Sequence, residues 1–125
     1  MSQTDIQNFE IYETNSLLIH GIVVDDAGQA IDIDGMSIVW GIYRVKDKVI
    51  VLQKETGDGI TITDPAEGLF DIVLTPAETR YLGGESYYHE AVVIDGDDQS
   101  TVLFGVITIH KSPVAAALTA GEEAT

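Results

Sequence analysis

The sequence predicts an all-β fold, an antiparallel β-sandwich of about seven or eight strands with one short helical turn. Three observations carry this. Short runs rich in Val, Ile, Leu, Phe and Tyr recur at intervals of roughly 8 to 12 residues, bounded by Gly, Asp and Pro. No stretch ahead of the C-terminal tail keeps helical periodicity for more than a turn. A single Trp40 stands inside a strand-like run, where a sandwich core needs a large apolar centre.

The first eight residues are polar and read as a lead-in to a sandwich over residues 9–110, with a tail over 111–125. Phe9–Tyr12 alternates apolar with polar, and Ser16–Val24 (SLLIHGIVV) is a stronger apolar run, giving two opening strands. Asp25–Gln29 is a turn with Gly28 at the position that favours positive φ. A second loop over Asp32–Gly35 leads into Met36–Arg44 (MSIVWGIYR). Lys46, Asp47 and Lys48 form a hairpin tip that returns through Val49–Lys54. Thr56–Gly59 turns into the short strand Ile60–Thr63, and Asp64–Gly68 turns again.

The stretch Gly68–Ile109 organises the rest, with strands at Leu69–Leu74, Tyr87–Ile94 and Thr101–Ile109. Between the first two, Thr75 is placed as a helix N-cap, Pro76 suits the first helical position, and Glu78 can reach back to the Thr75 backbone. Thr75–Tyr81 is therefore one helical turn, of the kind that carries a chain from one sheet to the other. Whether Tyr87 or Tyr88 points inward stays open, and the choice flips every side chain of that strand. In the last strand Leu103, Gly105, Ile107 and Ile109 share one face and Val102, Phe104, Val106 and Thr108 the other. Both faces are apolar, so the outward one, with Phe104 and Val106, is a candidate assembly contact.

With 125 residues the chain has room for one core. Six basic against 21 acidic residues give a formal charge of −15, which repels phosphate backbones and anionic lipid heads, so neither nucleic acid nor a membrane is an expected partner. There are no cysteines, hence no disulfides or thiolate metal sites, and the N-terminus lacks the pattern of a signal peptide. Four of the six basic residues, Arg44, Lys46, Lys48 and Lys54, fall on one hairpin. They guard an edge strand against unwanted pairing, or they meet an acidic face of a neighbour.

Nothing in the chain assembles into an active site. His20, His89 and His110 lie on three different strands, and His89 and Glu90, adjacent in a strand, point to opposite faces. No Ser lies in a nucleophile elbow. Asp25, Asp26, Asp32 and Asp34, or Asp95, Asp97 and Asp98, offer oxygens to calcium, but neither set has the spacing of a calcium loop, and Asp is an ordinary turn residue. The chain is thus not expected to be an enzyme or to hold a cofactor.

The run Gly68–Thr75 (GLFDIVLT), with Glu78, Thr79 and Leu82, then Tyr87–Ala91 (YYHEA), Asp95-Gly96, Thr101-Val102 and Gly105–Ile109 (GVITI), resembles small immunoglobulin-like structural domains of tailed-bacteriophage virion proteins. Ser16–Val24 and the turn Asp25–Gly28 match the start of the same pattern. The resemblance spans residues 16–109 and has no catalytic residue to carry over. It implies an immunoglobulin-like sandwich in a phage particle, in the tail, baseplate, fibre attachment or head decoration. Such a protein binds other virion proteins and copies of itself, with Arg44, Lys46, Lys48, Lys54, Phe104 and Val106 as candidate contacts. The alternative is a module that binds carbohydrate or a receptor through exposed tyrosines, or calcium through the aspartate loops.

Overall fold

A computed structural model of the chain describes residues 3–115 together with 117 and 118. The elements run β1 (Asp5–Ile6), β2 (Phe9–Tyr12), β3 (Leu17–Ile22), β4 (Ser37–Arg44), β5 (Ile50–Thr56), β6 (Gly59–Asp64), a 3-10 turn (Pro65–Glu67), β7 (Leu69–Leu74), α1 (Pro76–Thr79), β8 (Glu85–Asp95) and β9 (Asp98–His110). The strands join in one 9-stranded sheet of order β1-β9-β8-β4-β5-β6-β7-β3, with β2 also on β9. That sheet folds over on itself. β5 and β6 make the passage between layers with only two register pairs, Glu55↔Gly59 and Thr56↔Ile60.

The first layer is β1/β2, β9, β8, β4 and β5, and the second is β6, β7 and β3. Between them lies one core, centred on Trp40, Phe70, Ile38, Ile42, Ile72 and Ile107, all at most 1% exposed. The all-β sandwich expected from the sequence is what forms. Strict alternation drives it: along β8 the even-numbered residues turn outward while Tyr87, His89, Ala91 and Val93 are buried. Tyr87 is thus the inward tyrosine and Tyr88 the outward one. Val102 is buried too, because a bulge opposite Ala91 and Val92 gives β9 an extra residue there.

α1 carries the chain from β7 in the second layer to β8 in the first, as its sequence predicts. The Thr75 backbone N–H and hydroxyl both donate to Glu78 Oε1, at 2.8 and 3.0 Å. The Thr79 hydroxyl, buried, donates to the Asn15 carbonyl at 2.8 Å and ties this crossing to the β2–β3 turn.

The lead-in contributes more than its polarity predicts. β1 and β2 lie parallel to β9, and the chain between them dips toward Gly105, where a Cβ would stand 1.8 Å from the Gln7 carbonyl oxygen. Only glycine admits that approach. The expected strands keep their places: β2 and β7 have the expected bounds, and the others shift by at most three residues, β3 being shorter than Ser16–Val24 and β9 beginning at Asp98. Of the tail expected over 111–125, residues 116 and 119–125 lie outside the described residues.

The strand directions sort the loops to two ends. At one end are the β3–β4 loop, the β6–β7 turn and the β8–β9 turn, the first two tied together by the hydrogen bonds Ile33 N to Pro65 O and Val23 N to Gly68 O. At the other are the β2–β3 turn, the β4–β5 hairpin tip and α1.

Candidate functional site

The outer face of the first layer presents an aromatic ladder across three strands. Tyr43 on β4, Tyr88 on β8 and Phe104 on β9 follow one another with ring centroids 5.7 and 5.6 Å apart. They share this face because β4 and β9 both pair antiparallel with β8, bringing Tyr43 opposite Tyr88 and Phe104 opposite Glu90. Lys48 Nζ sits 4.9 Å from the Tyr88 ring centroid, a cation over an electron-rich face. Ile50, 58% exposed, and half-buried Val92 and Val106 extend the apolar ground on either side.

Gly41 stands on the same face, and its missing side chain leaves a hollow of about 100 Å³ lined by Val39, Tyr43, Ile50, Gln53 and Glu90. Burial, then the neighbouring Glu90 carboxylate, push the Tyr43 phenol above its usual range. Lys48 and Glu90 flank the ladder with opposite signs. A mixed aromatic and apolar surface of this kind can hold a protein partner or stack a sugar ring.

The sequence-predicted contacts separate into three settings. Phe104 and Val106 lie on the outer face, Phe104 as the end of the ladder. Arg44, Lys46 and Lys48 lie on or beside the β4–β5 hairpin tip. Arg44 Nε donates to Asp47 Oδ1 at 3.1 Å, and that bond holds the Asp47 carboxyl below the usual range. Lys48, with φ 60, donates to the Val45 carbonyl at 2.8 Å. Lys46 is exposed and makes no hydrogen bond or ion pair among the described residues. Lys54 departs from the basic patch altogether: it faces inward on β5, 8% exposed, and pairs with Glu78 Oε2. Its face is set by register, because Lys54 lies opposite Trp40.

The signal for Tyr43 and Tyr88 was present as alternation, but the adjacent tyrosines 87 and 88 hid which one faces out. His89 is a structural histidine. It is fully buried, accepting from Trp40 Nε1 through Nδ1 at 3.1 Å and bonding the Gln7 carbonyl through Nε2 at 2.7 Å. Burial lowers its pKa, so it is a neutral bridge between layer and lead-in. His20 and His110 face solvent in separate pairs with Asp71 and Glu10, each at 2.6 Å. The three histidines do not converge.

The aspartate loops serve as turn acceptors. Asp25 Oδ1 takes the N–H groups of Ala27 and Gln29, both at 2.9 Å, and Asp32 Oδ1 that of Asp34 at 2.9 Å. Among the described residues no three His, Asp or Glu side chains gather as a metal site, and no helix is long and apolar enough to cross a membrane. At this end of the sandwich a cleft of about 160 Å³ opens between Val23, Ile31, Met36 and Val102, with Asp95 and Asp98 exposed at its rim.

No family model matches the chain, and no curated protein matches it. Among solved structures it is similar to the N-terminal domain of phage TP901-1 ORF48, with a TM-score of 0.50 and 14% identity over 86% of each chain. At that identity the likeness is one of fold.

Proposed function

We propose that this protein is a structural component of a tailed-phage particle, in its tail, baseplate, fibre attachment or head decoration, and that it acts by binding other virion proteins. The strand order supports an immunoglobulin-like reading: β3, β7 and β6 stand as the B, E and D strands, and β4, β8 and β9 as C, F and G. The likeness in fold to a domain of a phage protein agrees with the phage resemblance read from residues 16–109. The observation that carries the mode of action is the outward-facing, half-buried ladder Tyr43–Tyr88–Phe104 with exposed Ile50 beside it. Aromatic side chains anchor protein interfaces, because they bury much area at small entropic cost.

The test is to mix the purified chain with the virion proteins encoded beside it, at near-physiological salt, and follow co-migration by mass. Binding to one of them, weakened at least tenfold by Tyr88→Ala with an unchanged melting temperature, is the expected result. A chain that ignores all of them overturns the reading.

The same ladder favours a second reading, a carbohydrate-binding face, because sugar rings stack on outward-facing aromatic rings and the adjacent hollow offers Glu90 and Gln53 for hydroxyls. A glycan array separates the two. Binding there, lost in Phe104→Ala, would move the function from assembly to recognition.

A further inference from the structure

One end of the sandwich is acidic with no basic residue, and the other gathers the basic residues among acidic ones. The end bearing the β3–β4, β6–β7 and β8–β9 loops holds Asp25, Asp26, Asp32, Asp34, Asp95 and Asp98, and no Lys or Arg. The other end holds Arg44, Lys46 and Lys48 on the hairpin, with Asp47 between the lysines and paired to Arg44, and Arg80 after α1 and Lys111 after β9 beside Glu13, Glu78 and Glu85; the hairpin tip itself keeps an excess of positive charge. So the basic residues of a chain with formal charge −15 are gathered, Lys54 aside, where the acidic cleft is not.

The two ends also match in apolar character. The hairpin tip exposes Val45 at 40% and Val49 at 47% on either side of Lys46, whose side chain makes no hydrogen bond or ion pair among the described residues. The cleft offers an apolar floor of Val23, Ile31, Met36 and Val102 with the Asp95 and Asp98 carboxylates at its rim. That is the shape and chemistry a lysine with flanking valines requires: methylenes against the floor, the ammonium among carboxylates.

We propose that copies of this chain associate head to tail, the Lys46 hairpin of one seated in the Val23–Met36–Val102 cleft of the next. The contact is heterologous, each copy using two different surfaces, so it propagates into a ring or a chain of subunits rather than closing as a two-fold pair. It extends the assembly reading with a surface separate from the aromatic ladder.

The salt dependence follows from the two length scales. Each copy carries the same large negative charge, and at about 0.01 M salt the screening length of about 30 Å lets whole molecules repel. At about 0.15 M it falls to about 8 Å, which removes that repulsion but spares the contact pair. At about 1 M it is about 3 Å, and the pair is screened too. Association therefore peaks near physiological salt.

Light scattering or sedimentation across salt and protein concentration tests this. The expected result is a mass that rises with concentration at intermediate salt. Lys46→Glu and the double variant Asp95→Lys/Asp98→Lys should each be monomeric at the same melting temperature. Mixed together they should associate again, since the mixture restores opposite charges at both contacts. A wild-type chain monomeric at every salt, a Lys46→Glu variant that associates like wild type, or a mixture that stays monomeric would overturn the proposal. A monomeric wild type that still co-migrates with a virion protein overturns it while leaving the assembly reading in place.

Discussion

The indole N–H of Trp40 donates to Nδ1 of His89 at 3.1 Å in the middle of the core, and this fixes the tautomer of the histidine. Nδ1 must accept, so Nε2 carries the proton and donates to the Gln7 carbonyl at 2.7 Å. A buried polar chain of three groups, each satisfied by the next, thus links β4, β8 and the segment between β1 and β2.

The chain makes stability depend on pH. Burial lowers the folded-state pKa of His89 below the ordinary value of about 6.5. The unfolded chain therefore binds the proton first, and stability falls as pH drops below about 6.5, levelling off below the folded value. His89→Gln should be less stable at pH 8 yet lose less on going to pH 5. Chemical denaturation of both proteins at several pH values measures this; parallel slopes would mean that another group titrates.

Gly105→Ala sets a methyl against the Gln7 carbonyl oxygen, with backbone on both sides of the clash. The strand junction must shift, at a cost of roughly 2–3 kcal/mol. Melting temperature should fall, and hydrogen exchange should quicken at Gln7 and Val106, whose N–H groups bond Phe104 O at 3.0 Å and Asn8 Oδ1 at 2.9 Å.

Lys54 and Lys46 should behave as opposites. Lys46→Glu, at an exposed tip, should leave the melting temperature within a degree or so, whereas Lys54→Met strands Glu78 and should cost about 2 kcal/mol, less than a fully buried pair because Glu78 keeps some solvent. Burial raises the Glu78 pKa, but the bonds from Lys54 and Thr75 outweigh it and leave it lowered. Its contribution is thus present above the ordinary glutamate value and lost as pH falls through the folded one. Glu78→Gln should remove that part of the acid sensitivity.

Tyr87 titrates late. Burial, then Glu85, push its phenol up to about 12, and its hydroxyl donates to the Leu82 carbonyl at 2.7 Å. The protonated form is favoured by folding, so stability is intact below about 10 and lost as pH rises toward about 12. Tyr87→Phe should lose about 1 kcal/mol at neutral pH and show a smaller alkaline decline. Ultraviolet titration of the phenols checks it.

The sequence made most strands, the α1 cap and the crossing between layers legible, because each rests on a local signal: alternation, Thr75-Pro76 with Glu78, turn residues around Gly. What it did not show depends on register between distant strands. Lys54 looks like a surface lysine until it is set opposite Trp40. The partners of His89 stay hidden until Gly105 lets the Gln7 carbonyl approach it. The N-terminal lead-in reads as polar because β1 is only two residues long and its pairing with β9 is nearly a hundred residues away in sequence. The outer face was half legible, Phe104 and Val106 by alternation, with Tyr43 and Tyr88 waiting on the same register.

The N-terminal segment sits at the seam between the two layers. While its strands pair with β9, the Gln7 side chain donates to the His20 carbonyl of β3 at 2.8 Å, and Gln3 N–H reaches the Val24 carbonyl at 2.9 Å. That margin of the sheet is thereby occupied from within, while on the far side β5 meets β6 at only two register pairs. The two layers are fastened to each other along this side by a segment that reaches both, so removing it would loosen both at once.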